Sequence, residues 1–139
     1  MNVTIEAMVP SDYEAVYKLW QVTEGVGLGE SDSEHAICRY LARNEGLSLV
    51  ARAQGEIVGA VLCGHDGRRG YLHHLAVDKR FRGRGYGKQL VEKCLTQLRE
   101  LRIEKCNIFV YSTHQEGQAF WAGLGWMRRV DLEVVQKSL

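Results

Sequence analysis

Val3, Ile5 and Ala7 alternate with Thr4 and Glu6, a period-two pattern that predicts a strand over residues 3–7. Pro10-Ser11-Asp12 reads as a helix start with Ser11 or Asp12 as cap, and Tyr13, Val16, Tyr17 and Trp20 then recur at helical spacing. Residues 25–32 are a loop rich in glycine and acid. Ser33 opens a second helix whose apolar face holds Ile37, Tyr40 and Leu41, and residues 44–46 end it. Residues 47–53 and 56–64 predict two strands joined by the tight turn Gln54-Gly55. A turn over 66–70 leads to a fourth strand over 71–77. Residues 89–101 place Leu90, Val91, Cys94, Leu95, Leu98 and Leu101 on one helical face. A fifth strand over 104–111, a short helix over 115–124 stopped by Gly125, and one or two last strands within 127–136 complete the chain.

The predicted order is β-α-α-β-β-β-α-β-α-β, and no linker, repeat or low-complexity segment interrupts it. Short turns make the second, third and fourth strands antiparallel, whereas the strand-helix-strand step over 71–111 makes a parallel pair. The expected class is α/β (α+β), a mixed sheet covered by helices. A chain of 139 residues is enough for one domain with a real core, taken as 1–139.

Composition narrows the function. At 45% hydrophobic and 25% charged the chain reads as soluble and globular, and a net charge of +1 gives no general drive toward nucleic acid or membrane. No apolar run approaches a membrane span, and residues 1–6 lack a signal-peptide core. Cys38, Cys63, Cys94 and Cys106 form no C-x-x-C pair and have apolar neighbours, which points to reduced buried thiols in the cytoplasm. No group of His, Cys and acid has metal spacing, so no metal is expected.

Positive charge is nevertheless concentrated locally. Residues 68–88 hold Arg68, Arg69, Lys79, Arg80, Arg82, Arg84 and Lys88 against one acid, Asp78. Within them, Arg80-Phe81-Arg82-Gly83-Arg84-Gly85-Tyr86-Gly87-Lys88 lies between a strand and a long helix. Glycines let the backbone bend tightly, the first N–H groups of a helix lack internal partners, and the helix dipole favours negative charge there. The natural guest is a phosphate or pyrophosphate. A Walker-type loop would need G-x-x-x-x-G-K-[ST], which is missing, and the dinucleotide fingerprint needs other glycine spacing early in a β-α-β unit.

Arg80-x-x-Gly83-x-Gly85, preceded by Leu75-Ala76-Val77, closely resembles the acetyl-CoA loop of the GNAT (GCN5-related) N-acetyltransferases. Gln118-Ala119-Phe120-Trp121-Ala122-Gly123-Leu124-Gly125-Trp126 is similar to that family's A-x-x-(F/L)-Y-x-x-(L/x)-G-(F/Y) segment, and the element order agrees over the whole chain. The resemblance implies a mixed six- to seven-stranded sheet flanked by about four helices. It also implies acetyl-CoA as cosubstrate and an amine of a small molecule or peptide as acceptor. Main-chain groups of Arg82, Gly83, Arg84, Gly85, Tyr86, Gly87 and Lys88 would hold the pyrophosphate. Those of Leu75, Ala76 and Val77 would pair with the pantetheine arm as an added strand. A splay between the fourth and fifth strands would admit the thioester. Homodimers are common in the family, and a non-catalytic acyl-CoA sensor is the alternative use of the same cradle.

The implied reaction is direct attack of a neutral amine on the thioester. A lysine-like amine with pKa about 10.4 costs about 4.6 kcal/mol to neutralise at pH 7, an α-amine near 8 only about 1.4 kcal/mol, so a base matters most for the first. Side chains at 71 and 73 share a strand face that in the family lines the acceptor cleft, with 72 and 74 on the other. His73 has the right ordinary pKa for the base; the other reading is a hydrogen-bonded structural histidine. His74 is expected to be structural. The Leu75 N–H would be the oxyanion donor. Trp121 stands where many members carry the Tyr that protonates the thiolate; either Tyr111 or water substitutes, or the step needs no acid, which a thiol pKa of about 8.5 permits. His114 replaces a frequent Asn and could still donate to coenzyme A. Phe109 stands where ribosomal-protein N-terminal acetyltransferases carry a Glu on the fifth strand, so the resemblance is not extended to that substrate. Glu24, Glu30 and Asp32 could meet a cationic acceptor or be solvated charge.

Overall fold

The computed structural model describes residues 2–139, which fall into two units, 2–109 and 110–139. In the first, β1 (Val3–Ala7), β2 (Leu49–Ala53), β3 (Glu56–His65), β4 (Arg69–Val77) and β5 (Lys105–Ile108) form one five-stranded sheet in sequential order. β1 through β4 pair antiparallel and β4 pairs with β5 in parallel. The helix α3 (Tyr86–Glu100) makes the crossover between that parallel pair, as such a connection requires.

Both faces of the sheet are covered. Gly59 and Ala60 are neighbours on β3 and so point to opposite sides. Ala60 packs with Val16, Leu19 and Trp20 of α1 (Tyr13–Gln21) and with Ile37 and Leu41 of α2 (Glu34–Arg43). A Cβ at Gly59 would instead lie 3.2 Å from Leu90 of α3. The core is therefore two apolar layers, one against α1 and α2 and one against α3. The Ser33 hydroxyl caps α2 by accepting the Ala36 N–H at 3.2 Å.

The sheet has five strands rather than the expected six to seven. β5 ends at Ile108, and residues 127–136 form no strand. Met127, Val130, Leu132, Val134 and Val135 are 58–94% exposed, and among the described residues the only main-chain bond there is the Leu132 N–H to the Arg129 carbonyl, 3.4 Å. Alternation supplies the face of a strand but not the ladder partner that satisfies its N–H and C=O groups. In the second unit, α4 (Gln115–Gly123) closes with Trp126 N–H donating to the Trp121 carbonyl and Gly125 N–H to Ala122, a Schellman ending.

One close approach sets where α2 sits. A Cβ at Gly64 on β3 would lie 2.6 Å from the Tyr40 hydroxyl and 2.8 Å from Oδ1 of Asn44. Asn44 Oδ1 also accepts the His65 N–H, 3.2 Å, and its amide donates to the Tyr40 carbonyl. Gly64→Ala should push the end of α2 off the sheet and cost roughly 1–3 kcal/mol, read as a lower urea midpoint at unchanged slope.

Candidate active site

The turn after β4 begins with Asp78, whose carboxylate accepts the Arg80 N–H (2.9 Å) and caps a single 3-10 turn, Lys79–Phe81. The Arg80 guanidinium binds that carboxylate (3.0 Å) and Glu56 (2.8 Å), so its charge is spent locally. Arg80 in turn holds the Asp78 carboxyl below its ordinary range. The Arg80 and Arg84 guanidinium carbons each lie 5.6 Å from the centre of the buried Phe81 ring. The Arg82 Nε donates to the Val77 carbonyl, 2.8 Å. These arginine side chains build the loop, and its main chain is left for a ligand.

That main chain turns left-handed twice, at Gly83 (φ 76°) and Gly85 (φ 85°), before α3 starts. The Arg82 N–H is taken by the Lys79 carbonyl at 3.4 Å. From residue 83 through 88, no N–H has an acceptor among the described residues. The first bond of the helix is Gln89 N–H to the Gly85 carbonyl, 3.0 Å. These unpaired amides lie at the positive end of a 15-residue helix, where negative charge is favoured. The unpaired amides are those of Gly83, Arg84, Gly85, Tyr86, Gly87 and Lys88, while the Arg82 N–H bonds within the turn.

β4 carries two irregularities beside this loop. The parallel ladder with β5 runs from Arg69–Lys105 to Leu72–Ile108 and stops, so β4 has no β5 partner from His73 to Val77. On its other side the register steps from Leu62–His73 to Ala60–Ala76. Three residues of β4 thus span two of β3, a bulge at His74 and Leu75. His74 takes the extra turn with φ 54°, unusual for a residue with a side chain.

The bulge changes the expected faces. His73 and Tyr71 do share one face, their rings parallel at 6.3 Å, with Tyr40 at 6.4 Å and Phe109 at 6.0 Å from His73. His74 joins them instead of facing away, its ring 6.5 Å from that of His73 and 4.9 Å from Trp20. His73 is partly buried, and its ring makes no hydrogen bond among the described residues. Burial, then neighbouring His74, lowers its pKa below the ordinary histidine value. It is therefore a neutral imidazole near pH 7, the state a base requires.

Asp32 is not a free surface acid. It is 5% exposed, and its Oδ1 lies 2.8 Å from Nε2 of His74. Glu24 and Glu30 stay exposed. Sequence reading missed this pair because its members stand 42 residues apart; adjacent histidines in one strand were the only available signal. Leu75 follows His74 at the bulge, and Ala76 and Val77 continue the open edge.

In the second unit Tyr111 is exposed and its carbonyl accepts the His114 N–H at 3.0 Å. His114 precedes α4, its imidazole lying where a Cβ at Gly117 would be 2.4 Å from Nδ1. The Gln118 amide binds the Ser112 and Tyr111 carbonyls, at 2.8 and 3.2 Å. The buried Trp121 packs edge-on to Trp126, 4.7 Å between centres. All four cysteines are free thiols; Cys63 and Cys94 are buried, and burial pushes the Cys106 thiol up to about 12. No helix is long and apolar enough to cross a membrane among the described residues.

A glycine-rich loop opening the crossover helix follows a bulged strand whose ladder with β5 ends at Leu72. Residues 13–126 match the model of the acetyltransferase (GNAT) family, and the chain belongs to that family. It is 33% identical over 129 residues to an acetyltransferase of Yersinia enterocolitica, covering 93% of this chain and 86% of the relative. Among solved structures it is similar to Ard1 of Thermoplasma volcanium, with TM-score 0.81, 23% identity, and coverage of 91% of this chain and 84% of that one. It is also similar to the PaiA N-acetyltransferase of Thermoplasma acidophilum, solved with coenzyme A, with TM-score 0.78, 17% identity and 89% of each chain covered.

Proposed function

We propose that residues 1–139 act as one catalytic domain that transfers an acetyl group from acetyl-CoA to an amine of a small molecule or peptide. The observation that carries this reading is the set of unpartnered amides at 83–88, next to a strand whose edge is open from His73 onward. Family membership supports it. The diphosphate of acetyl-CoA takes the amides at 83–88. The pantetheine amides bond the main chain of Leu75, Ala76 and Val77, for which the Arg82 Nε must first release the Val77 carbonyl.

The acceptor nitrogen attacks the thioester carbon and His73 takes its proton. The Leu75 N–H receives the charge that builds on the carbonyl oxygen. The C–S bond then breaks, and the thiolate leaves with a proton from Tyr111 or water. A thiol with pKa about 8.5 needs little help, so Trp121 in the place of a tyrosine is tolerable. His114 donates to coenzyme A. The proposed chemistry uses no metal. Four unpaired thiols fit a reducing cytoplasm.

The test is acetyl-CoA consumption, with coenzyme A release as the readout, over a panel of polyamines, aminoglycosides and peptides with free α-amines. Turnover of at least one amine is expected; coenzyme A binding without turnover of any acceptor would instead make the protein a sensor. Calorimetry with Gly85→Val isolates the loop. A β-branched residue cannot hold the left-handed φ of 85° without strain, although the space around it is open. Left-handed backbone costs roughly 1–2 kcal/mol, so coenzyme A affinity should fall about tenfold or more. Unchanged affinity in that variant would place the diphosphate elsewhere.

A further inference from the structure

We propose that the buried Asp32–His74 pair is a positioning device: by fixing the bulge of β4, it aims the Leu75 N–H at the reacting carbonyl. The inference rests on the acetyl-transfer reading above and adds residues that take no direct part in the chemistry.

Every polar atom of Asp32 is occupied. Oδ2 accepts the Gly29 N–H at 2.9 Å, its carbonyl accepts the Tyr13 hydroxyl at 2.6 Å, and its own N–H donates to the Gly29 carbonyl at 3.0 Å. Those bonds shape the turn Glu30–Asp32 and tie it to α1. They leave Oδ1, which reaches His74 Nε2 at 2.8 Å. A carboxylate buried this deeply is costly unless both oxygens are bonded. The bond to His74 is thus a structural requirement of Asp32 as much as of the histidine.

His74 is gripped at both ends. Asp32 holds the ring, and the Trp20 indole N–H donates to the His74 carbonyl at 3.0 Å while the two rings meet edge to face, 4.9 Å between centres. A left-handed residue with a side chain persists only where its surroundings over-determine it. The His74 carbonyl and the Leu75 N–H belong to the same planar, trans peptide unit, so they point in opposite directions. Fixing the carbonyl toward Trp20 on α1 therefore fixes the Leu75 N–H away from it. Asp32 and Trp20 together set the orientation of one peptide plane, the plane that bears the proposed oxyanion donor. Because Asp32 sits in the loop between α1 and α2, the aim of that donor is coupled to the seating of this loop.

Two substitutions of His74 separate the tether from the backbone. Glycine adopts the left-handed conformation freely but cannot reach Asp32, whereas asparagine tolerates the conformation and offers an amide N–H. In the full-length protein, His74→Gly should lower kcat about tenfold to a hundredfold, the scale of a small misplacement of a catalytic group. KM for acetyl-CoA should stay within about twofold of wild type, and His74→Asn should recover most of kcat. An unchanged kcat in His74→Gly, or equal losses in the glycine and asparagine variants, overturns the proposal. A second readout is independent of turnover: hydrogen exchange of the Trp20 indole N–H, assigned by comparison with Trp20→Phe. Exchange should quicken in His74→Gly and Asp32→Asn and slow again in His74→Asn; equal exchange in all of them refutes the tether. If the wild-type protein acetylates nothing, the acetyl-transfer reading fails, and the indole exchange alone decides whether the pair holds the bulge.

Discussion

His73→Ala is expected to lower turnover by roughly 10²–10⁴ while leaving coenzyme A affinity almost unchanged. The imidazole packs with Tyr71, Tyr40, Phe109 and His74 and makes no hydrogen bond to the loop at 83–88, so its removal strips no anion-binding group from that loop. The loss should therefore fall on kcat, measured at saturating acetyl-CoA, with calorimetry reporting the same affinity for coenzyme A. The pH profile carries a sign. Burial disfavours the imidazolium, so the folded protein keeps His73 neutral to a pH below the ordinary histidine value. The base is present above that point and lost as pH falls through it. The acid limb of kcat/KM in the wild type should bend below about 6.5 and be absent in the alanine variant. Stability follows the same direction: an unfolded chain takes up the proton first as pH drops, so this residue destabilises the fold progressively on the acid side. Near-normal turnover in the variant would remove His73 as the base and leave a histidine that only fills space. The acceptor matters to the size of the effect, because a lysine-like amine needs the base far more than an α-amine does.

Trp20→Ala should cost about 3–5 kcal/mol of stability, a large share of the roughly 5–15 kcal/mol that holds a domain folded. The side chain is 0% exposed and sits where α1 meets β3 and β4. Around it lie Val16, Ile37, Val50, Ala60, Leu62 and Ala76, all buried. The substitution leaves a large apolar cavity and also deprives the His74 carbonyl of its donor. Trp20→Phe keeps most of the packing and removes only the hydrogen bond, so about 1–3 kcal/mol is expected there. Urea denaturation of both variants gives the comparison, with the shift read in the midpoint at constant slope. A loss under about 1 kcal/mol for the alanine variant would mean that this layer of the core collapses around the gap far better than its packing suggests. The phenylalanine variant should also lose activity out of proportion to its stability, since the freed peptide plane carries the Leu75 N–H.

Much of the site was legible along the chain because its signals are local. Gly83 and Gly85 are needed where the backbone turns left-handed, and the amides they expose belong to the residues that follow directly. That arrangement depends on neighbouring residues alone, so spacing and residue type were enough to find it. The first helical turn was placed three residues late, at 89 rather than 86, because Tyr86, Gly87 and Lys88 are weak helix formers or polar and add nothing to the apolar stripe. His73 could be placed on its face by alternation, since no irregularity precedes it in β4. Just after it, alternation fails. A bulge is usually flagged by glycine, but here the left-handed residue is His74, stabilised by partners on α1 and on the loop before α2.

The last strand shows the complementary failure. Residues 127–136 have the composition of a strand and remain exposed, because pairing is a property of two segments. For the same reason the early end of the β4–β5 ladder, which opens the strand edge at His73, left no trace in either segment alone.

The succession of elements, the mixed sheet, the glycine-rich loop and the family can all be read along the chain, since each rests on spacing within a few residues and on the backbone freedom of particular residue types. Contacts between distant segments bulged the strand bearing His73, ended its ladder with β5 at Leu72, buried Asp32 against His74 and set the sheet at five strands. Those features depend on hydrogen bonds and packing between residues distant in the chain, which compete with local preference and here override it.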